Sequence, residues 1–290
     1  MAHPPPSMEL IAACMLPNDR GLSKARRLLN AGVAVEPMDS RGTTPLVAAA
    51  MSNSVRTCEL LLKKGAEIDR AVPGFQGTAL HGACAAGHRG VVELLLGRGA
   101  RVDAAMSDGG QPLRGAAEGG HIEVARLLLA RGADPCHAKS DGDTALHAAC
   151  RRGHLAMAEL LVQSAGPRIV DITNGEGDTA LHAAVGHVQV MQLLLSKGAD
   201  PNHVVNGCTA LHVAAYKGFA VAARLLLLSG AHVDPLTFHG LTPLAAAANL
   251  KHSQVRVGRC GGWLTGRSVL PSAEFRDATV RKGIPRDVQL

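Results

Sequence analysis

The chain has 290 residues, 47% of them hydrophobic but only 2% aromatic, with 33 glycines and a formal net charge of +6. So few rings suit thin helices packed closely through alanine and leucine, with glycine at the turns. The charge resembles a nucleic-acid signal until it is divided along the chain: residues 251–290 hold eight Lys and Arg against three Asp and Glu, leaving 22 basic and 21 acidic residues in the first 250. The basicity belongs to the end of the chain, not to its body.

In chain order, residues 1–7, with Pro4-Pro5-Pro6, are expected to form a disordered lead. Met8–Cys14 and Ser23–Leu29 read as a helix pair closing on Asn30-Ala31-Gly32. From residue 42 a pattern recurs. Thr78-Ala79-Leu80-His81 returns as Thr144-Ala145-Leu146-His147, Thr179-Ala180-Leu181-His182 and Thr209-Ala210-Leu211-His212. Weaker copies are Thr44-Pro45-Leu46, Gln111-Pro112-Leu113 and Thr242-Pro243-Leu244, and the leucines step by 34, 33, 33, 35, 30 and 33. A period near 33 means a stacked array.

Each unit follows one physical plan. Thr opens a first helix, where a hydroxyl accepts a backbone N–H or bonds within the turn. Small residues after the Leu-His pair face the stack at helical spacing. Gly87, Gly120, Gly153, Gly186 and Gly218 break that helix; Gly65, Gly99, Gly132, Gly198 and Gly230 close the leucine-rich second one, where a left-handed residue is most easily glycine. One joint departs from the plan. Ala165-Gly166-Pro167 replaces the expected Gly-Ala, the loop to Leu181 is two residues longer, and the next helix is two shorter. Residues 163–187 are therefore either a hinge or change of twist, or a harmless drift of compensating lengths. In the last unit the second helix does not arrive, since Val255-Arg256-Val257-Gly258 stands where three leucines belong.

These motifs resemble the ankyrin repeat, whose signature is Thr-Pro-Leu-His-x-Ala on about this period. The resemblance implies an all-α solenoid of about seven helix–turn–helix units linked by β-hairpin-like finger loops. It gives an ankyrin repeat domain over 8–257: a degenerate N-terminal cap at 8–41, six regular units at 42–240 and a truncated unit at 241–257. Residues 258–290 form a basic tail expected to be disordered. The resemblance also implies that His81, His147, His182 and His212 bond to the backbone of adjoining turns.

Other chemistry finds little support. The seven cysteines form no Cys-x-x-Cys pair, so they read as reduced packing residues rather than a disulfide framework or zinc site. Histidines recurring once per repeat stand too far apart to share one metal. No phosphate loop, His-Glu-x-x-His or Gly-x-Ser-x-Gly motif is present, so neither an enzyme nor a cofactor or metal is expected. No apolar run approaches the roughly 20 residues that span a bilayer. Glu9 interrupts the apolar start and no cation precedes it, unlike a secretory leader. A cytoplasmic protein follows, with the nucleus as second compartment.

What remains is surface that the repeat does not dictate. On first helices this includes Arg151, Arg152, Tyr216 and Lys217; on fingers, Phe75, Met106 and Phe238 are too large for simple turns. Arg and Tyr are favoured interface anchors. The expected function is a monomeric, non-catalytic scaffold or adaptor that binds another protein, an acidic or amphipathic segment, through its concave groove and fingers. The alternative is an adaptor binding nucleic acid or an anionic surface through the tail. The tail's cations are spread too thinly for a phosphate-binding patch, which argues against nucleic acid.

Overall fold

A computed structural model of the chain describes residues 5–71 and 77–249. Phe75, the stretch 250–257 in which no second helix is expected, and the tail at 258–290 lie outside the described residues. The chain divides into two compact units, residues 1–169 and 170–290, and the division falls within the irregular joint at 163–187.

The first unit is a series of helix pairs: α1 (Pro6–Cys14) with α2 (Leu22–Asn30), α3 (Pro45–Met51) with α4 (Val55–Lys63), α5 (Ala79–Ala85) with α6 (Arg89–Gly97), α7 (Pro112–Gly119) with α8 (Ile122–Ala130), and α9 (Ala145–Arg152) with α10 (Leu155–Ala165). First helices α3, α5, α7 and α9 pack in succession, as do second helices α4, α6, α8 and α10. A 3-10 turn runs over Pro167–Asp171. In the second unit, α11 (Ala180–Ala183), α13 (Ala210–Lys217) and α15 (Pro243–Asn249) are first helices, and α12 (Val188–Ser196) and α14 (Ala220–Leu228) are second helices.

α1 begins at Pro6, so the expected lead gives up Pro6 and Ser7 to the helix. A proline is well placed in a first turn, where its missing N–H has no partner to lose. The first pair lacks the Thr-Leu-His opening and is tied to the second by other means. Asp19, held at φ 62°, accepts from Arg56 N at 3.1 Å and Thr57 N at 2.8 Å, covering the N-terminus of α4.

In the regular units the histidine after leucine is buried. His81 Nδ1 accepts from Thr78 N at 3.1 Å, and its Nε2 reaches Gly110 O at 3.1 Å across to the next unit. His212 repeats this with Thr209 N at 3.1 Å and Leu241 O at 3.2 Å. A second set of histidines precedes the second helices and reaches backwards. His121 Nε2 meets Ala85 O at 3.0 Å and His154 Nε2 meets Glu118 O at 3.1 Å. Gly120, at φ +71°, leaves the room that His154 fills: a Cβ there would lie 2.9 Å from the ring. In the second unit Phe219 takes the histidine's place against Gly186.

Finger loops contain isolated β-bridges at Ala138–Thr144, Thr173–Thr179 and Val205–Cys208, and no named strand occurs among the described residues. The finger at 199–208 is one residue short because it closes on Asn206-Gly207, both with positive φ (48° and 78°), a two-residue turn. Its shortness has a consequence. His182 Nδ1 still meets Thr179 Oγ1 at 2.9 Å, but Nε2 is buried with no hydrogen-bond partner, and the ring stands edge-on to His203 at 5.9 Å.

Candidate interaction surface

The third regular unit breaks the motif, reading Gln111-Pro112-Leu113-Arg114 where Thr-x-Leu-His is expected. In place of a histidine bonding the backbone at Gly110's position, Arg114 Nη2 donates to the Asp143 carboxylate at 3.0 Å. Asp143 occupies the same register in the next unit that Gly110 holds in this one. Its side chain is 4% exposed, and a carboxylate so buried requires compensating charge. Arg151, one turn beyond His147 on α9, supplies more: Nη2 donates at 2.6 Å and Nη1 at 3.3 Å. Burial alone pushes the Asp143 carboxyl upward, but the Arg151 and Arg114 bonds and charges outweigh it and hold it below the ordinary carboxylate value.

The neighbouring pair is similar but wetter. Arg152 Nη2 donates to Glu118 Oε1 at 2.8 Å, and Arg114 Nη1 approaches Oε2 of the same residue at 3.4 Å. The Arg152 bond, against a smaller desolvation cost, keeps the Glu118 carboxyl low. Arg152 and Glu118 are 58% and 40% exposed, so this pair contributes little stability on its own.

Arg151 and Arg152 are both exposed on α9, and each already holds a carboxylate of its own chain. A guanidinium carries five N–H donors, so Arg152, with one donor on Glu118, keeps donors for an incoming acceptor in a fixed orientation. Met106 is half-buried and builds its finger: its N–H donates to Gly110 O and its carbonyl accepts from Gly109 N, both at 2.9 Å. In the second unit Tyr216 is 60% exposed beside exposed Lys217 at the end of α13, and Phe238 is 81% exposed on its finger. The structure thus brings Arg151 and Arg152 together, and Tyr216 with Lys217.

Three partners of these residues escaped the sequence reading. Asp143 and Arg114 would have emerged from aligning Arg114 with the motif histidine. Glu118, the mate of Arg152, lies 34 residues from it in sequence. Val221 and Leu228, 64% and 49% exposed on α14, were also missed; at their register α12 carries Gln189 and Ser196. Among the described residues no cluster of three His, Cys, Asp or Glu is arranged for a metal, and no helix is long and apolar enough to cross a membrane.

Helix pairs at this period, with capped threonines and finger loops, define a repeat protein of the ankyrin class. The family model described as ankyrin repeats (3 copies) matches residues 113–205, and that described as ankyrin repeats (many copies) matches 46–96 and 186–227, together more than half of the chain. The chain belongs to the ankyrin repeat family. It is similar to the ankyrin repeat and KH domain-containing protein mask of Drosophila melanogaster, at 40% identity over 86 residues, 29% of this chain and 2% of that protein. Human ankyrin repeat domain-containing protein 17 is 39% identical over 79 residues, 27% of this chain and 3% of its own. The mouse nuclear factor NF-kappa-B p105 subunit is 39% identical over 85 residues, 28% and 9%. The chain thus matches less than a tenth of each of these relatives. Among solved structures, the human ASB11 ankyrin repeat domain superimposes with a TM-score of 0.63 at 26% identity, covering 71% of this chain and 92% of that one.

Proposed function

We propose that this chain is a non-catalytic scaffold that holds a protein partner against the solvent-facing side of its first helices and its fingers. Ankyrin repeats are protein-interaction modules, which supports the general reading. The observation that carries the finer one is Tyr216, 60% exposed at a position where the fold requires no large side chain, with Lys217 beside it. An exposed ring with a hydroxyl offers contact area at low entropic cost, and its neighbouring cation selects an acidic segment. Arg151 and Arg152 serve the same partner class, pre-oriented by Asp143 and Glu118, with Met106 shaping a finger. Rigid presentation lowers the ordering cost of docking.

The test is affinity capture of protein partners by the intact chain, by Tyr216→Ala/Lys217→Glu, and by a chain lacking 258–290. Partners lost with the helix variant but kept after truncation support the reading. Partners kept by the variant and lost on truncation overturn it in favour of the tail.

A further inference from the structure

The fingers of the second unit differ in chemistry from the helices that carry them. Its described residues hold five acidic side chains, Glu176, Asp178, Asp200 and Asp234 on loops and Asp171 at the end of the 3-10 turn, whereas Lys197, Lys217 and Arg224 all lie on helices or at a helix end. Fingers of the first unit are different, with Arg70 paired to Glu36 and Lys139 to Asp141. The acidic loops adjoin one another. Asn206 Nδ2 donates to Glu176 O at 3.4 Å, Asn202 Nδ2 to Gly230 O at 3.1 Å, and Phe238 lies against the tip at Gly207. On this surface Val204, Leu236 and Phe238 are 58%, 64% and 81% exposed. At the register of Phe238 the first unit has Ser140, whose N–H bonds Asp108 O at 2.7 Å. Scattered exposed apolar residues need no explanation, but three on adjoining loops that carry no Lys or Arg mark a contact surface.

That surface calls for an occupant that is both apolar and basic. We propose that the finger face of the second unit docks this chain's own residues 251–290, with Trp263 and Leu264 against Leu236 and Phe238. The segment carries eight Lys and Arg against three Asp and Glu, and the chain's single Trp. It follows directly on the last described helix, which ends at Asn249. Thirteen residues separate Asn249 from Trp263, a reach of up to about 50 Å when extended. Opposite charge on the two surfaces aligns them, and burial of the indole against aliphatic and aromatic carbon supplies the contact. Because Phe238 also belongs to the surface assigned to a protein partner, the tail would compete with that partner for it.

Trp263 makes the idea measurable in the full chain without any partner. Its emission is recorded for the unmodified protein, for Leu236→Ser/Phe238→Ser, and for both in urea, with far-UV circular dichroism confirming that the variant is folded. The expected result is emission to the blue of the unfolded chain. It moves to the unfolded position in the double variant, and towards it in about 1 M salt, where charge is screened within roughly 3 Å. Emission already at the unfolded position in the native protein at low salt overturns the proposal. So does blue-shifted emission that the double substitution leaves in place. Either outcome leaves the helix-face reading standing, since the measurement involves neither Tyr216 nor Arg151.

Discussion

Arg114 and Asp143 meet at 3.0 Å across two repeats, and the pair replaces a histidine–carbonyl bond with a salt bridge at the same register. His81 and Gly110 show the ordinary form one unit earlier. The exchange is compensated: an arginine reaches where an imidazole would, and a carboxylate receives it. It also explains why Arg151 is fixed, because the same carboxylate binds both.

Asp143→Gly should therefore destabilise the chain by about 1–3 kcal/mol, since it removes the nearer acceptor of the half-buried Arg114 and leaves only the longer contact to Glu118. Arg114→His combined with Asp143→Gly rebuilds the His81–Gly110 arrangement and should recover at least half of that loss. Urea unfolding of the two singles and the double gives the coupling directly. Additive losses would mean the two residues do not substitute for the motif.

Gly120 and Gly132 separate backbone conformation from packing. Both have positive φ, +71° and +88°, but a Cβ at 132 meets nothing within 4 Å while one at 120 meets the His154 ring. Gly132→Ala should cost about 1 kcal/mol for the left-handed conformation. Gly120→Ala should cost about 1 kcal/mol more, from overpacking against the ring. Equal losses in urea unfolding would deny the ring its role.

Acid should weaken the fold before any carboxylate titrates. Burial lowers the pKa of His81, His182 and His212, against opposing backbone bonds at His81 and His212 and the Asp178 charge at His182. The unfolded chain then takes up protons first, near the ordinary histidine value of about 6.5. Their contribution is complete above that value and is lost as pH falls through it towards the lower folded values. Asp143 and Glu118, held below ordinary carboxylate values, lose theirs only further down. The urea midpoint should be lower at about pH 5.5 than at about pH 7.5; an unchanged or higher midpoint would contradict the buried neutral histidines.

Thiol reactivity tests the packing assigned to cysteine. Burial pushes Cys14 and Cys58 up to about 12, and raises Cys84 and Cys150 as well. A thiol-specific reagent acts on the thiolate, so these four should stay unmodified in the native chain and react in denaturant. Of the described cysteines, Cys136 and Cys208, only partly buried, should react first. Mass mapping of modified peptides reads the order.

Much of the fold was legible because its determinants are local. Thr144 and His147 are three residues apart, and the glycines that end each helix need only a backbone angle. Even the short finger before Leu211 could be counted from sequence. What escaped was long-range pairing. Arg152 meets Glu118 from 34 residues away, so Arg151 and Arg152 read as bare cations when both are engaged. Exposure of Tyr216 and Phe238 was anticipated by subtracting the positions that the repeat dictates.

The central claim is that the solvent-facing side of the first helices selects the partner. Quantitative affinity capture with Tyr216→Ala/Lys217→Glu, on protein shown to unfold in urea as the unmodified chain does, tests it most directly. The account predicts at least a tenfold loss of the captured partner, equivalent to about 1.4 kcal/mol. Undiminished capture by this folded variant would contradict it.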